Sequence, residues 1–259
     1  MSATIGYKGS VLEKFRAMKA AGFEGIETMS HMKQDEVLQA FAETGLKAAS
    51  VCCATHWVKT LSHPEEKIRA DGVAGLQVSL RDAKRYGAPS VLLVPGVVNN
   101  EVTYEQCWAR SIAGIRQALP LCEETGVKIA VENVWNNFIL KPAQAKQYLE
   151  EINSPLVGWH FDIGNMIKYG PAEEWITVLG PRIFNLHFKE YGTAPGPNGK
   201  AKGFGVKFFE GDNHWPAIMR ALDQVGYKGW GITEQPGDQT KDAASAREFV
   251  EQLDKVLAS

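Results

Sequence analysis

Residues 157–165 read VGWHFDIGN, a run apolar enough for a buried strand that still carries His160 and Asp162. Side chains two apart on a strand project from the same face. These two polar groups therefore stand side by side and point into the protein. A buried carboxylate is costly unless a charge, a metal or several donors satisfy it. The fold has to bring partners to Asp162, and the rest of the chain indicates from where.

Seven other short apolar runs have the same form: ATIGY at 3–7, EGIETM at 24–29, KAASVCC at 47–53, SVLLVPG at 90–96, VKIAVENV at 127–134, RIFNLHFKE at 182–190 and GWGITEQ at 229–235. ATIGY carries the weakest pattern. Helical patterns separate them. SVLEKFRAMKAAG sets Val11, Phe15 and Met18 on adjoining faces and stops at Gly22, and DEVLQAFAETG repeats the scheme with Val37, Leu38, Phe41 and a stop at Gly45. Residues 64–87 and 101–126 read as long helices ended by Gly87 and Gly126, and a last helix spans about 243–257. Pro142, Pro171 and Pro216 sit near helix starts, where a missing N–H costs little.

Eight strand-then-helix units predict a parallel sheet, and closing it gives an α/β (β/α)8 TIM barrel. The competing open doubly wound sheet lacks its usual motive, because no G-x-G-x-x-G follows the first strand. The chain has 259 residues, close to the ~250 of such a barrel, and no linker divides it, so one domain over 1–259 is expected. The Gly- and Pro-rich stretch YGTAPGPNGKAKGFGVKFFEGDNH at 191–214 predicts irregular structure across most of its length. It follows the seventh strand on the side where a barrel keeps its active site.

Composition narrows the partners. A formal net charge of −2 with no basic tail argues against nucleic acid. No apolar run reaches the ~18 residues of a membrane span, and MSATIGYKG does not read as a secretory signal. The four cysteines form no C-x-x-C pair, which fits a reducing, cytoplasmic location.

The last four strand candidates end alike. Glu132 follows KIAV, Asp162 follows GWHF, His187 follows IFNL and Glu234 follows WGIT, at spacings of 30, 25 and 47 residues. Singly, Glu132 reads equally as a salt bridge and His187 as a satisfied core histidine. At equivalent strand ends, all four converge on one barrel mouth. Three carboxylates sharing a small space call for a divalent cation, and three oxygens with one imidazole suit Mn2+, Mg2+ or Co2+ better than a structural zinc. The other reading is a purely structural polar layer. A metal that polarises a carbonyl acidifies the neighbouring C–H, and Glu132 and Glu234, three strands apart, are placed to move a proton off one face and onto the other.

VENVWNN, HFDIGN, NLHFKEY, EGDNHWP and GYKGWGITEQPG, with GFEGIE at 22–27, resemble the blocks of the sugar phosphate isomerase/epimerase superfamily, the xylose-isomerase-like barrels. The resemblance covers nearly the whole chain and lies towards ketose 3-epimerases and L-ribulose- or L-xylulose-5-phosphate 3-epimerases. It implies a metal, Mn2+ first, on Glu132, Asp162, His187 and Glu234. It also implies epimerisation at C3 through a metal-bound cis-enediolate, with Glu132 and Glu234 as the acid–base pair. The sequence departs from the non-phosphorylated ketose epimerases at Asn165, Thr193 and Phe138, where those carry His, Arg and Glu. Lys189 supplies a cation in their place and resembles the lysine of H-x-K-D members, inosose dehydratases among them. Aldose–ketose isomerisation and inosose-type dehydration are therefore the alternatives. An apurinic-endonuclease-like phosphodiesterase and a sugar-binding barrel without turnover are the remote ones.

Second-tier candidates surround this set. Glu27 closes the second strand and either bonds a substrate hydroxyl or pairs with Lys189. His56 and Trp57 follow the third strand, Trp57 as a sugar-stacking wall or as a packed loop residue. Trp135 and Asn133 line the pocket, or Asn133 caps the next helix. Lys200, Lys202 and Lys207 read as a solvated face or as phosphate ligands. His160 supports a ligand from behind or fills the barrel core. The expected partners are a sugar or sugar phosphate, no nucleic acid and no membrane, with a dimer or tetramer of the chain as an option.

Overall fold

The computed structural model describes residues 5–196 and 199–259. Among them run nine strands: β1 (Gly25–Met29), β2 (Lys47–Cys52), β3 (Ser90–Leu93), β4 (Lys128–Glu132), β5 (Val157–Asp162), β6 (Ile183–Phe188), β7 (Gly192–Pro195), β8 (Ala201–Gly203) and β9 (Trp230–Thr233). The helices are α1 (Val11–Ala21), α2 (Gln34–Thr44), α3 (Glu66–Tyr86), α4 (Tyr104–Thr125), α5 (Pro142–Ile152), the single turn α6 (Ile163–Met166), α7 (Ala172–Leu179), α8 (Trp215–Gln224) and α9 (Ala243–Leu257). Seven strands pair in parallel in the order β1-β2-β3-β4-β5-β6-β9, a TIM-barrel sheet that nearly closes on itself. None of the described helices is long and apolar enough to cross a membrane.

The eighth sheet strand expected from ATIGY is not among the described residues. Ala3 and Thr4 lie outside them, and Ile5–Tyr7 take no strand conformation. Gly6 instead donates its N–H to Thr240 Oγ1 at 2.9 Å, and it lies so close to Gly237 that a Cβ has no room. β9 and β1 thus face each other across a seam, Gly25 against the ring of Trp230. A cavity of about 410 Å³ sits there, lined by Phe23, Gly25, Glu27, Trp230, Ile232 and Phe249 among others. It lies at the seam and includes no member of the strand-end quartet.

Local sequence explains the helix ends. Gly22, Gly45, Gly87 and Gly126 each close a helix in the left-handed region that glycine enters at least cost. Ser10 with Glu13 and Thr103 with Gln106 form capping boxes that start α1 and α4. Pro142 opens α5, Pro171 caps α7 and Pro216 falls in the first turn of α8.

β5 shows how the barrel is divided. On its outer face Trp159 and Phe161 pack on Trp175 of α7, with ring centroids 6.2 and 5.8 Å apart. Burying a side chain such as Phe161 contributes roughly 1.5–3 kcal/mol. On its inner face stand His160 and Asp162, both fully buried. The 191–214 stretch is more ordered than its composition predicts, since β7 and β8 form a short antiparallel hairpin within it. Residues 197 and 198 lie outside the described residues. All four cysteines are buried and free.

Candidate metal centre

Sheet register brings the strand ends together. Glu132 of β4 stands opposite His160 of β5, and Asp162 stands opposite His187 of β6. Glu234 follows β9 directly. Ligand-capable atoms of Glu132, Asp162, His187 and Glu234 all lie within 4.8 Å of one another. Nδ1 of His187 is the hub, 3.0 Å from Glu132 Oε1, 3.5 Å from Glu234 Oε2 and 3.7 Å from Asp162 Oδ2.

Asp162 is held by its neighbours. Asn133 Oδ1 accepts the Asp162 N–H at 3.0 Å and the Trp159 indole N–H at 3.0 Å, while its amide donates to the Asp162 carbonyl at 2.7 Å. Asp162 Oδ1 accepts the Asn165 N–H at 2.8 Å, which leaves Oδ2 facing the quartet. Asn165 donates its amide to the Asn133 carbonyl at 3.0 Å and turns Oδ1 towards Lys189 Nζ at 3.5 Å. Asn133 thus braces the Asp162 backbone and Asn165 its carboxylate. Asn133 neither caps a helix nor opens onto the mouth.

Beneath the quartet, His187 Nε2 lies 3.2 Å from Glu27 Oε1. Glu27 is fully buried and pairs with His187 rather than with Lys189, one of the two partners anticipated from sequence. Its second oxygen is 3.9 Å from His160 Nδ1, and the His160 ring meets the His187 ring edge-on at 4.1 Å. Glu27 Oε2 and both ring nitrogens of His160 have no hydrogen-bond partner among the described residues.

Carboxylates outnumber cationic groups in the site. Four carboxylates surround one imidazole and the Lys189 ammonium, which sits 2.7 Å from Glu234 Oε2 and 3.4 Å from Asp162 Oδ2. Burial, reinforced by the Glu234 charge, pushes Glu132 up to about 7 against the opposing His187 bond. Burial disfavours the imidazolium of His187, but Glu234 and Glu27 outweigh it and hold His187 well above the ordinary histidine range. Burial likewise opposes the Glu27 carboxylate, and His187 carries it down to about 2. For Lys189, burial is outweighed by Asp162 and Glu234, and the ammonium is favoured. Protonation is thus favoured on Glu132 by burial and the Glu234 charge, and on His187 by the surrounding carboxylates. Three carboxylates and an imidazole nitrogen are a donor set that fits a hard or borderline divalent ion.

The outer candidates spread around the mouth. His56 is buried, accepts the Val94 N–H on Nδ1 at 3.1 Å and is pushed down to about 4 by burial. Trp57 is half exposed beside it. Trp135 donates its indole N–H to the Asn165 carbonyl at 2.8 Å and meets Tyr191 and Phe204 at 5.4 and 5.2 Å. Lys207 is engaged with Glu248, and Lys202 is exposed on β8. Three residues outside the sequence reading also belong here: Tyr191, Phe204, whose ring lies under Lys189 Nζ at 4.4 Å, and the fully buried Glu190. Glu190 was legible in principle. It alternates with Lys189 on a strand end, so if one enters the barrel the other enters the layer outside it.

A family model described as the xylose isomerase-like TIM barrel matches residues 15–256. The chain belongs to this family. This xylose isomerase-like barrel is 24% identical to the L-ribulose-5-phosphate 3-epimerase UlaE of Escherichia coli over 92% of its own length and 88% of the relative's. It is 32% identical to the 2-epi-5-epi-valiolone 7-phosphate 2-epimerase of an Actinoplanes species over 54% of its length and 52% of the relative's. Its fold is similar to that of the Escherichia coli 3-keto-D-glucoside 4-epimerase, with a TM-score of 0.79, 17% identity and coverage of 98% and 96% of the two chains.

Proposed function

We propose that this xylose isomerase-like barrel is a divalent-metal-dependent epimerase acting at C3 of a ketose or ketose phosphate. The observation that carries the reading is the buried quartet Glu132, Asp162, His187 and Glu234, with its ligand atoms within 4.8 Å of one another. The relatives' names support it. L-Ribulose has its carbonyl at C2 and is epimerised at C3, and a 3-keto-glucoside is epimerised at C4. In both, the carbon that changes hand is next to a carbonyl, where a proton is acidic enough to remove.

The quartet would hold Mn2+ as the first choice, with Mg2+ or Co2+ as alternatives. When bound, the cation supplies polarisation of the substrate carbonyl. Glu132 and Glu234 end strands that β5 and β6 separate in the sheet, so they approach a bound sugar from two sides. One removes the C3 proton and the other returns a proton to the opposite face. Burial opposes the Asp162 carboxylate, but the Lys189 ammonium, His187 and the Asn165 N–H outweigh it and favour the ionised form. Glu27 accepts the Nε2–H of His187 and so keeps Nδ1 turned to the quartet, with His160 packed on the same ring. Lys189 offsets the negative charge that develops on the sugar oxygens. His56, Trp57, Trp135 and Asn165 surround the mouth where the rest of the sugar would lie. The same ammonium, 2.7 Å from Glu234, favours one second reading: protonation of a leaving hydroxyl in an inosose-type dehydration.

A panel of ketoses and ketose phosphates in D2O, with Mn2+ and with chelator, tests the proposal. We expect metal-dependent deuterium at C3 of a substrate. Glu234→Gln should abolish that exchange with an unchanged melting temperature. No exchange across the panel with Mn2+ present overturns the reading, and loss of water from the substrate would favour the dehydratase.

A further inference from the structure

Lys189 and Glu190 leave the end of β6 in opposite directions. Lys189 enters the site, and the fully buried Glu190 enters the 191–214 stretch. There one carboxylate gathers four N–H groups. Glu190 Oε1 accepts from Tyr191 N at 3.2 Å and Asn213 N at 3.1 Å, and Oε2 accepts from Phe209 N at 3.0 Å and the Trp215 indole at 2.6 Å. The beginning and end of the stretch and the start of α8 are thus tied to one side chain. Gly211 is pressed so close that a Cβ would stand 2.4 Å from Glu190 Oε1. Charge-assisted bonds of this kind are about twice as strong as neutral ones.

Two further bonds carry this clasp into the site. Asn213, held by Glu190, donates its side-chain amide to the Lys189 carbonyl at 2.7 Å. The Glu190 N–H donates to Gln235 Oε1 at 3.0 Å, and Gln235 is the neighbour of Glu234 and donates in turn to the Val206 carbonyl at 2.8 Å. The stretch also sets Phe204 against the Lys189 ammonium at 4.4 Å. Phe204 is itself held by Tyr191 at 4.8 Å. The Lys189 carbonyl is therefore tied through Asn213 to the Glu190 carboxylate, and the side chain next to Glu234 is tied to the Glu190 N–H.

We propose that Glu190 is a positioning residue that sets the Lys189–Glu234 pair through Asn213, Gln235 and the Phe204 contact. The inference rests on the reading that this pair serves the reaction. Glu190 touches neither substrate nor metal ligand. It acts by holding the ammonium where Glu234 and a substrate oxygen can share it, a placement whose loss by 1 Å costs roughly 10²-fold in rate.

The test is a double-mutant cycle. Glu190→Gln places an amide N–H against backbone donors and should lower kcat/KM roughly 10- to 100-fold. Lys189→Met should lower it at least as far, and the double variant should be no worse than Lys189→Met alone, because Glu190 acts through Lys189. Losses that multiply, or an unchanged kcat/KM in Glu190→Gln, overturn the proposal. If Glu190→Gln does not fold, Asn213→Ala breaks only the tie to the Lys189 carbonyl, and the same comparison with Lys189→Met decides. Hydrogen–deuterium exchange of the substrate-free protein reads the clasp separately. Exchange should quicken over 189–191 and 206–215 and stay unchanged in β4 and β5, and unchanged exchange over those segments counts against the proposal. A wild-type protein inactive on every ketose would sink the epimerase reading, while this exchange measurement would still judge the clasp.

Discussion

Binding of Mn2+ to the quartet should tighten as pH rises from 6 to 8, because the ion displaces protons. Metal ligands must be deprotonated, and the metal-free site holds a proton on Glu132, which is pushed up to about 7, and another on His187, which is held well above the ordinary histidine range. With a pKa of about 7, Glu132 is roughly nine-tenths protonated at pH 6 and one-tenth at pH 8, which alone weakens binding about tenfold at the lower pH. His187 adds up to another tenfold per pH unit while it remains protonated, so the span lies between about 10- and 1,000-fold. Calorimetric titration in two buffers of different ionisation heat counts the protons: about two released at pH 6 and about one at pH 8. A flat affinity with no proton release would refute the argument that protons stand in for the cation. The same shift makes a stability statement. The folded pKa of Glu132 is raised above its unfolded value of 4.5, so its contribution is complete below about 4.5 and is lost as pH rises through about 7. Chelated protein should therefore weaken from about pH 5 to 8, by roughly 1.4 kcal/mol between pH 6 and 8 for this group, while metal-loaded protein should not.

Two perturbations probe the surroundings. Glu27→Gln removes the carboxylate under His187 Nε2 and should weaken Mn2+ binding 10- to 100-fold without unfolding the barrel; an unchanged affinity would mean that His187 keeps its orientation unaided. Gly164→Ala puts a Cβ 2.5 Å from the Lys189 carbonyl oxygen. Because the neighbour is backbone, the fold should lose roughly 1–3 kcal/mol, seen as a melting temperature lower by several degrees, and an unchanged melt would show that β6 yields there.

The sequence made most of the barrel legible because most of it is local. Strand ends, glycine stops and proline starts are read within a few residues, and the four ligand-type residues stand out because each closes an apolar run. What escaped was set by distant pairing. Glu27 and His187 are separated by 160 residues and meet only because β1 closes towards β9 across the seam. Nothing in GFEGIE distinguishes a glutamate that touches substrate from one that holds a histidine. Asn133 was misread for the same reason, since its partner is the backbone of the next strand. The β7–β8 hairpin escaped because Gly and Pro signal turns and leave the paired residues between them unmarked. Glu190 escaped because a charged residue beside a charged residue looks solvated until the strand is given a face.

β5 itself joins these levels. Its outer residues, Trp159 and Phe161, are a stabilising layer that any soluble barrel could use. Its inner residues oppose stability: Asp162 is a buried carboxylate among three others, and His160 leaves two ring nitrogens without hydrogen-bond partners among the described residues. An unsatisfied buried polar group costs roughly 1–3 kcal/mol, and an apolar replacement would avoid it. Such a pair is kept against stability only where the neighbouring groups need it. For Asp162 the need, on the proposed function, is the cation it would share with Glu132, His187 and Glu234. For His160 it is the face of His187, which it packs at 4.1 Å while Glu27 holds the far nitrogen. The outer layer thus supplies the stability that lets the inner layer hold four carboxylates around one imidazole.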